Sequence, residues 1–401
     1  MSPWRNAIDA YIDSHQERWR TVRRYLHAHP EPSREEYRTT EYLAQLLSAA
    51  GLRVQIAPSG RGLIAEPGGQ DDRPRVAIRA DMDALRLADA KNVPYRSCHE
   101  GVMHACGHDA HTTMALGAAL ALWECREAVP QCTAWRAIFQ PAEEVSEGAF
   151  EMIDAGAVDG VGAIVALHVD PELSVGRIGQ RSGVLTACCQ EVHVVIRGVG
   201  GHAARPHLAV DPIAVAAQLV TSLYHLVPRS VDSRDPIVIT FGSIRGGTSP
   251  NIIPDQVELM GTLRTLSDRA AAQVEERIAQ IARGLSAASR ATIDVTFRSG
   301  TGAVDNDPVV TAICVQAASE VVGPGNVEEI RLPSMGGEDF SGYLKHVPGC
   351  LLRLGVASFD RPRHSLHSPH FDLDEGALAI GAKVLAHSAV LLSELPRSRR
   401  A

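Results

Sequence analysis

From Met103 to Met114 the chain reads MHACGHDAHTTM, which sets His104, Cys106, His108, Asp109 and His111 within eight residues. Thiolate, imidazole and carboxylate at this density suit a divalent cation, since each supplies a lone pair once deprotonated. One chemistry is a closed structural zinc site, which uses two ligand pairs separated by a loop. This stretch is a single knot beside Gly107, with no partner pair at that spacing, so a wall of a larger site is the better reading. If the segment is extended, His104, Cys106 and His108 share one face, because side chains alternate with period two. A helix starting near Thr112 would turn His111 elsewhere.

Five further clusters supply ligand-type residues. Asp81 and Asp83 follow RVAIRA, Glu143 and Glu144 lie in QPAEE, and His168 and Asp170 follow AIVAL. GGEDF at 336–340 and HSLHSPHF at 364–371 add more. Any one acid at a strand end reads equally well as a turn former, but three such ends together point to a site. Glu143 and Glu144 can divide two roles: one holds a metal while the other takes a proton from water as general base. Taken alone, the pair serves equally as negative charge at a helix N-terminus.

The elements that would position these groups follow from periodicity. A helix is expected over 34–50, with Ser33 and Glu36 placed as its capping box and Gly51 ending it. Strands are expected at 52–57, 62–66, 75–80, 135–140 and 163–168, with helices at 112–126 and about 148–155. This alternation predicts an α/β layer architecture with a largely parallel sheet, whose sites form at the carboxyl ends of the strands. From 191 to 298 the pattern is β-α-β-β-α-β, which makes a compact domain on its own. Helix 308–322, strand 350–356 and helix 375–394 follow. The expected organisation is a discontinuous outer domain, 1–187 plus 299–401, interrupted by an inserted domain at 188–298.

At 401 residues two domains are expected. A net charge of -8 gives no electrostatic footprint for nucleic acid. The N-terminus has no apolar run of signal-peptide length, and Met114 to Trp123 is too short to span a bilayer. The eight cysteines form no tight framework and read as reduced thiols of a cytoplasmic protein.

In order along the chain stand RRYLHAHPEPSREEYRTTEYL, RADMDAL, MHACGHDAHT, QPAEE, GGHAARPHLAVDPI, SPNIIPDQVELMGTLR, GGEDF and HSPHFDLDE. Together these motifs resemble the dinuclear metallo-amidohydrolases that include hippurate hydrolase, aminoacylases, indoleacetyl-amino-acid hydrolases and carboxypeptidase G. The likeness is strongest to the hippurate and indoleacetyl-conjugate branch. It implies a metal-binding catalytic domain with an inserted lid that dimerises. It also implies two divalent ions, of zinc, manganese, cobalt or nickel, held by Cys106, His108, Glu144, His168 and His367. Glu143 would be the general base, and Asp81 a carboxylate that orients a ligand. His202 would reach the partner subunit's site to steady an oxyanion, and Asn251 and Arg264 would hold a substrate carboxylate. A homodimer or tetramer is implied. His104 and His111 are left as support, and Asp109, His207, His364 and His370 stay unassigned. Two positions depart from the branch: Arg86 follows RADMDAL and Glu100 precedes GVMHACGHD where proline is usual. Neither is a proposed ligand.

The implied activity is metal-dependent hydrolysis of N-acetyl, N-benzoyl or aryl-acetyl amino acids. A metallo-exopeptidase or dipeptidase is the alternative with the same chemistry. A non-catalytic metal-binding scaffold is the alternative in another class.

Overall fold

The computed structural model describes residues 2–69, 73–360 and 362–395. The chain divides into two compact units, 1–185 with 305–332 and 339–401, and 186–304 with 333–338. The sequence reading gave residues 299–304 and 333–338 to the outer domain, and the structure places both in the second unit. Backbone pairing explains the shift. Cys189 N donates to the Thr301 carbonyl at 2.9 Å, and Ala187 N to the Gly336 carbonyl at 3.1 Å.

The first unit is built on a sheet whose centre is parallel. Trp135–Gln140, Arg75–Asp81, Val161–Ser174 and Gly349–Ala357 run side by side in one direction. Leu63–Glu66 joins one side antiparallel to Trp135–Gln140, and Arg53–Ile56 pairs beyond it. On the other side Ile178–Gln180 pairs antiparallel with Gly349–Ala357 and parallel with Val327–Glu329. Central strands of this kind are covered on both faces, which is why Trp135–Gln140 is buried at every position. Helices His108–Glu124 and Gly376–Ser393 supply much of the cover, together with Pro3–Ser14 and Gln16–Ala28, which the periodicity reading left unmarked. Gly376–Ser393 is long and apolar enough to cross a membrane by length and composition, but 83% of it is buried inside the unit as a core helix.

Three local differences from expectation bear on the site. The helix expected from Thr112 starts at His108, so His111 lies one turn inside it. Strand Val161–Ser174 runs on past His168 and Asp170, which therefore sit within it rather than beyond its end. The first long helix after the N-terminal pair begins at Tyr37, with Arg34 in left-handed backbone at φ 73°, and no side chain caps it. Ser33 and Glu36 form no capping box, because both side chains are engaged elsewhere. Gly51 does end that helix, at φ 92°.

The second unit is a four-stranded antiparallel sheet in the order Ile237–Arg245, Gln256–Thr265, Cys188–Arg197, Thr292–Ser299. Helices Pro212–Leu226 and Asp268–Ser289 pack on it through Leu219, Leu223, Val274 and Ile278. Asp211 and Ser267 accept backbone N–H bonds at the two helix starts, as good N-caps do. The chain order is β-α-β-β-α-β.

Candidate metal centre

Gly107 makes the turn that separates Cys106 from His108. Its φ is 86°, and a Cβ there would lie 2.4 Å from Val169 Cγ2, so only glycine fits. Directly after it the helix begins with His108 and Asp109. Asp109 is pinned from the N-terminal helix Gln16–Ala28, by Arg23 Nε at 2.8 Å and His27 Nδ1 at 2.7 Å. That triad is fully buried. It fixes the helix start, and Asp109 therefore takes no place among the candidate ligands.

The histidine tautomers can be read from their partners. Asp83 Oδ1 accepts from His108 Nδ1 at 3.1 Å, which leaves His108 Nε2 as a lone pair. His168 Nδ1 donates to the Val169 carbonyl at 2.8 Å, which frees its Nε2 in the same way. His168 Nε2 stands 3.6 Å from Cys106 Sγ. His367 Nε2 lies 3.3 Å from Glu144 Oε1, and His108 Nε2 lies 3.9 Å from both Glu143 Oε2 and Glu144 Oε1. Two triads result, Cys106–His108–His168 and Cys106–Glu144–His367, each with its ligand atoms within 4.8 Å of one another. A third, His108–Glu143–Glu144, joins them.

These groups fit divalent cations on the chemistry of their orphan atoms. His108 Nε2 and Glu144 Oε1 are buried and make no hydrogen bond among the described residues, which is costly unless something else satisfies them. The donor set mixes sulfur, nitrogen and oxygen, as borderline cations accept. Burial and the nearby Glu144 charge push the Cys106 thiol well above its ordinary pKa, so a thiolate there calls for a compensating positive charge. Burial drives His168 the same way, well below the imidazole range and toward the neutral ligand form. Burial also opposes charge on His108, but Asp81 and Cys106 outweigh it and hold its pKa high. This is the field a cation would meet.

Asp81 was expected to orient a ligand, and the carboxylate hydrogen-bonded to His108 is instead that of Asp83. Asp83 is the carboxylate that orients His108, while its Oδ2 accepts from Glu144 N at 3.0 Å. Asp81 Oδ1 accepts from His111 Nδ1 at 2.6 Å, and Arg79 donates to Oδ2 at 2.7 Å. His111 Nε2 then accepts from Val169 N at 2.8 Å, so both ring nitrogens are spent and none is left for a metal. The ring stands 4.6 Å from that of His168, centroid to centroid. Burial opposes charge on Asp81, but His108, His111 and Arg79 prevail and keep its pKa well below the carboxylate range. Sequence reasoning gave Asp83 no part of its own and kept His111 only as support. The D-x-D spacing, which puts both acids on one face of an extended segment, was the signal for the first.

His104 is buried with both ring nitrogens unpaired among the described residues, and it joins none of the triads. Burial lowers its pKa to about 4. Asp170 accepts from Glu172 N and also stays apart. His367 stands in left-handed backbone, φ 62°, tied by its N–H to the Ala105 carbonyl at 2.9 Å. That strained position brings an exposed side chain back to Glu144.

The second unit holds the remaining candidates. His202 pairs with Ile252 across a two-residue ladder, next to Asn251. His202 Nδ1 accepts from Ala204 N at 3.1 Å, so the ring proton sits on Nε2, a donor facing outward. Asn251 Oδ1 accepts from Ser249 Oγ at 2.6 Å. Arg264 Nη1 donates to the Met335 carbonyl at 2.6 Å and lies 3.3 Å from Cys189 Sγ.

The family model described as peptidase family M20/M25/M40 matches residues 77–390. A probable hydrolase from Synechocystis is 41% identical over 92% of this chain and 94% of its own length. N-acetyl-L-cysteine deacetylase from Bacillus subtilis is 37% identical, over 92% of this chain and 86% of its own. Among solved structures, a Bacillus subtilis protein described as a dinuclear metal binding peptidase superposes with a TM-score of 0.81. It is 34% identical, and the match covers 95% of this chain and 99% of that one.

Proposed function

This chain belongs to peptidase family M20/M25/M40, and from that premise we propose that it is a metal-dependent amidohydrolase acting on N-acyl amino acids. The products are a carboxylic acid and a free amino acid. The observation that carries this reading is the meeting of Cys106, His108, Glu144, His168 and His367 around buried, unpaired donor atoms, with Glu143 beside them. A relative that bears the name of a deacetylase of an N-acetyl amino acid supports the substrate class.

In this proposal the five residues hold two divalent cations, with Cys106 common to both triads. Bound there, such ions acidify a water and polarise the amide carbonyl. Glu143, at 8% exposure, takes the proton from the attacking water and returns it to the leaving nitrogen. Asp83 keeps His108 in the tautomer that ligates. His202 of a partner subunit donates from Nε2 to the developing oxyanion, which makes the homodimer the least working unit. Asn251 and Arg264 hold the free carboxylate of the amino acid, Arg264 through its planar fork. The eight free cysteines suit a reducing compartment, and we assign the cytoplasm.

The test is hydrolysis of N-acetyl, N-benzoyl and indoleacetyl amino acids by the purified protein, before and after chelation. Expected are chelator-sensitive turnover on at least one of them and recovery with added divalent metal. Dipeptides form a parallel arm. Turnover of these alone would move the assignment to an exopeptidase, and no turnover on any amide with two ions bound would remove catalysis altogether.

A further inference from the structure

The N-terminal motif HAHPEPSREE supplies neither ligand nor base, yet its Glu36 reaches the turn that carries Glu143 and Glu144, and its Ser33 reaches Asp83. We propose that Glu36 is a positioning residue: its buried carboxylate fixes the Ala142 backbone and so aims the general base.

Ala142 stands in left-handed backbone, φ 51°, and is fully buried. For a residue with a Cβ this conformation is unfavourable, so the surroundings must over-determine it. They do so from several sides. Glu36 Oε1 accepts from Ala142 N at 2.7 Å. The Ala142 carbonyl accepts from Glu147 N at 3.2 Å and Gly148 N at 3.1 Å. Gly148 allows this close return, since a Cβ there would fall 1.5 Å from the Pro141 carbonyl oxygen. The other end of the same turn is held by Asp83, whose Oδ2 accepts from Glu144 N at 3.0 Å and from Ser33 Oγ at 2.7 Å.

Glu36 is itself held. It has no exposure, its carbonyl accepts from Thr40 Oγ1 at 2.6 Å, and Thr40 Oγ1 accepts from Gly62 N at 2.9 Å. Its second oxygen makes no hydrogen bond among the described residues, with Arg61 Nη1 at 3.6 Å. Burying a carboxylate with one oxygen unsatisfied is expensive, and it does not serve helix capping here. The short bond to Ala142 N is what the side chain does.

The proposal rests on Glu143 being the base, and the test separates the two. Glu36→Asp withdraws the acceptor by one methylene and keeps the charge. Glu36→Gln keeps the acceptor at full reach and removes the charge. The Asp variant is expected to lose kcat by roughly 30- to 100-fold, with KM changed less than about threefold and two equivalents of metal still bound. In metal-free protein its Ala142 amide should exchange at least about 100-fold faster while the amides of Trp135–Gln140 stay slow. The Gln variant should keep kcat within about threefold and the amide protected. A Glu36→Asp variant with wild-type kcat and a protected Ala142 amide overturns the proposal. So does a Glu36→Gln variant as impaired as Glu36→Asp, or exchange accelerated along the whole strand. If wild-type protein shows no chelator-sensitive turnover but the amide result holds, the functional reading falls and the positioning stands.

Discussion

With the exposed His367 set apart, the two units present their candidate residues in opposite ways. In the first, Asp81, Asp83, His108, Glu143 and His168 are each at most 8% exposed, and each of the histidines has its tautomer set by a neighbour. In the second, His202 and Asn251 are exposed and Arg264 is half-buried, with partners drawn mostly from local backbone. The difference follows from the sheets. A parallel sheet covered on both faces places its strand ends in low dielectric, where protonation and direction can be fixed in advance. An antiparallel sheet with one open face keeps its polar groups wet, which suits grip on a substrate better than proton transfer. On that contrast, damage in the first unit should fall on kcat and metal affinity and damage at Asn251 or Arg264 in the second on KM, while His202, as the oxyanion donor, should fall on kcat.

The strongest way to break the contrast is Glu143→Gln. It keeps the shape and removes the base, so kcat should fall about a thousandfold, while metal content and KM stay within about threefold. Steady-state kinetics with metal analysis reads this directly. A variant with intact turnover would mean that the dry side of the molecule does not do the chemistry.

Next is Asp83→Ala. With His108 Nδ1 left unpaired, affinity for the more weakly held ion should drop about 10- to 100-fold, measured by competition with a chromophoric chelator. Asp81→Asn should fall short of that, because Asp81 acts through His111 rather than on a ligand. Equal losses in the two variants would erase the distinction drawn between these acids.

How far the sequence showed this depends on the range of the interaction that fixes each group. The central strand Trp135–Gln140 and the inserted β-α-β-β-α-β run were legible, since period and length are local signals. Ligand identities such as Cys106, His168 and His367 came through resemblance, because a residue on a strand and a residue in a loop 199 positions later share no local pattern. The interval here is that between His168 and His367. What stayed hidden was pairing between distant segments. Ser33 and Glu36 look like a capping box in sequence, and only the fold sends one to Asp83 and the other to Ala142. The helix start was misplaced for a smaller reason: the helix takes in four more residues, which sets the His111 ring on Asp81 and Val169.

Glu36 sharpens the picture of a preset interior. Burial first, then the Asp83 charge, raise its pKa from 4.5 to about 7. The folded chain therefore binds this proton more tightly than the unfolded chain does. The contribution to stability is full below about pH 4.5 and is lost as pH rises through about 7. Between pH 5 and pH 7 the metal-free protein should lose about 2 kcal/mol from this group. Urea unfolding of wild type and Glu36→Gln at both pH values isolates it, because the variant should lack that part of the slope. Parallel slopes would show that Glu36 stays charged in the fold.

The smallest expected effect lies in the second unit, with Arg264→Lys. Arg264 already spends Nη1 on the Met335 carbonyl, and the rest of its fork is what the proposal offers to a substrate carboxylate. Lysine keeps the charge but presents one point rather than two parallel donors, so the loss should be one charge-assisted bond, about 1–2 kcal/mol. That corresponds to KM raised roughly tenfold with kcat nearly unchanged, as expected for binding shared by ground and transition states. The control is the same acyl amino acid with its carboxylate converted to an amide. Wild type should already bind this substrate poorly, and Arg264→Lys should weaken it no further. A penalty that persists on the amide, or one that appears in kcat, would make Arg264 part of the fixed machinery and dissolve the division of labour between the two units.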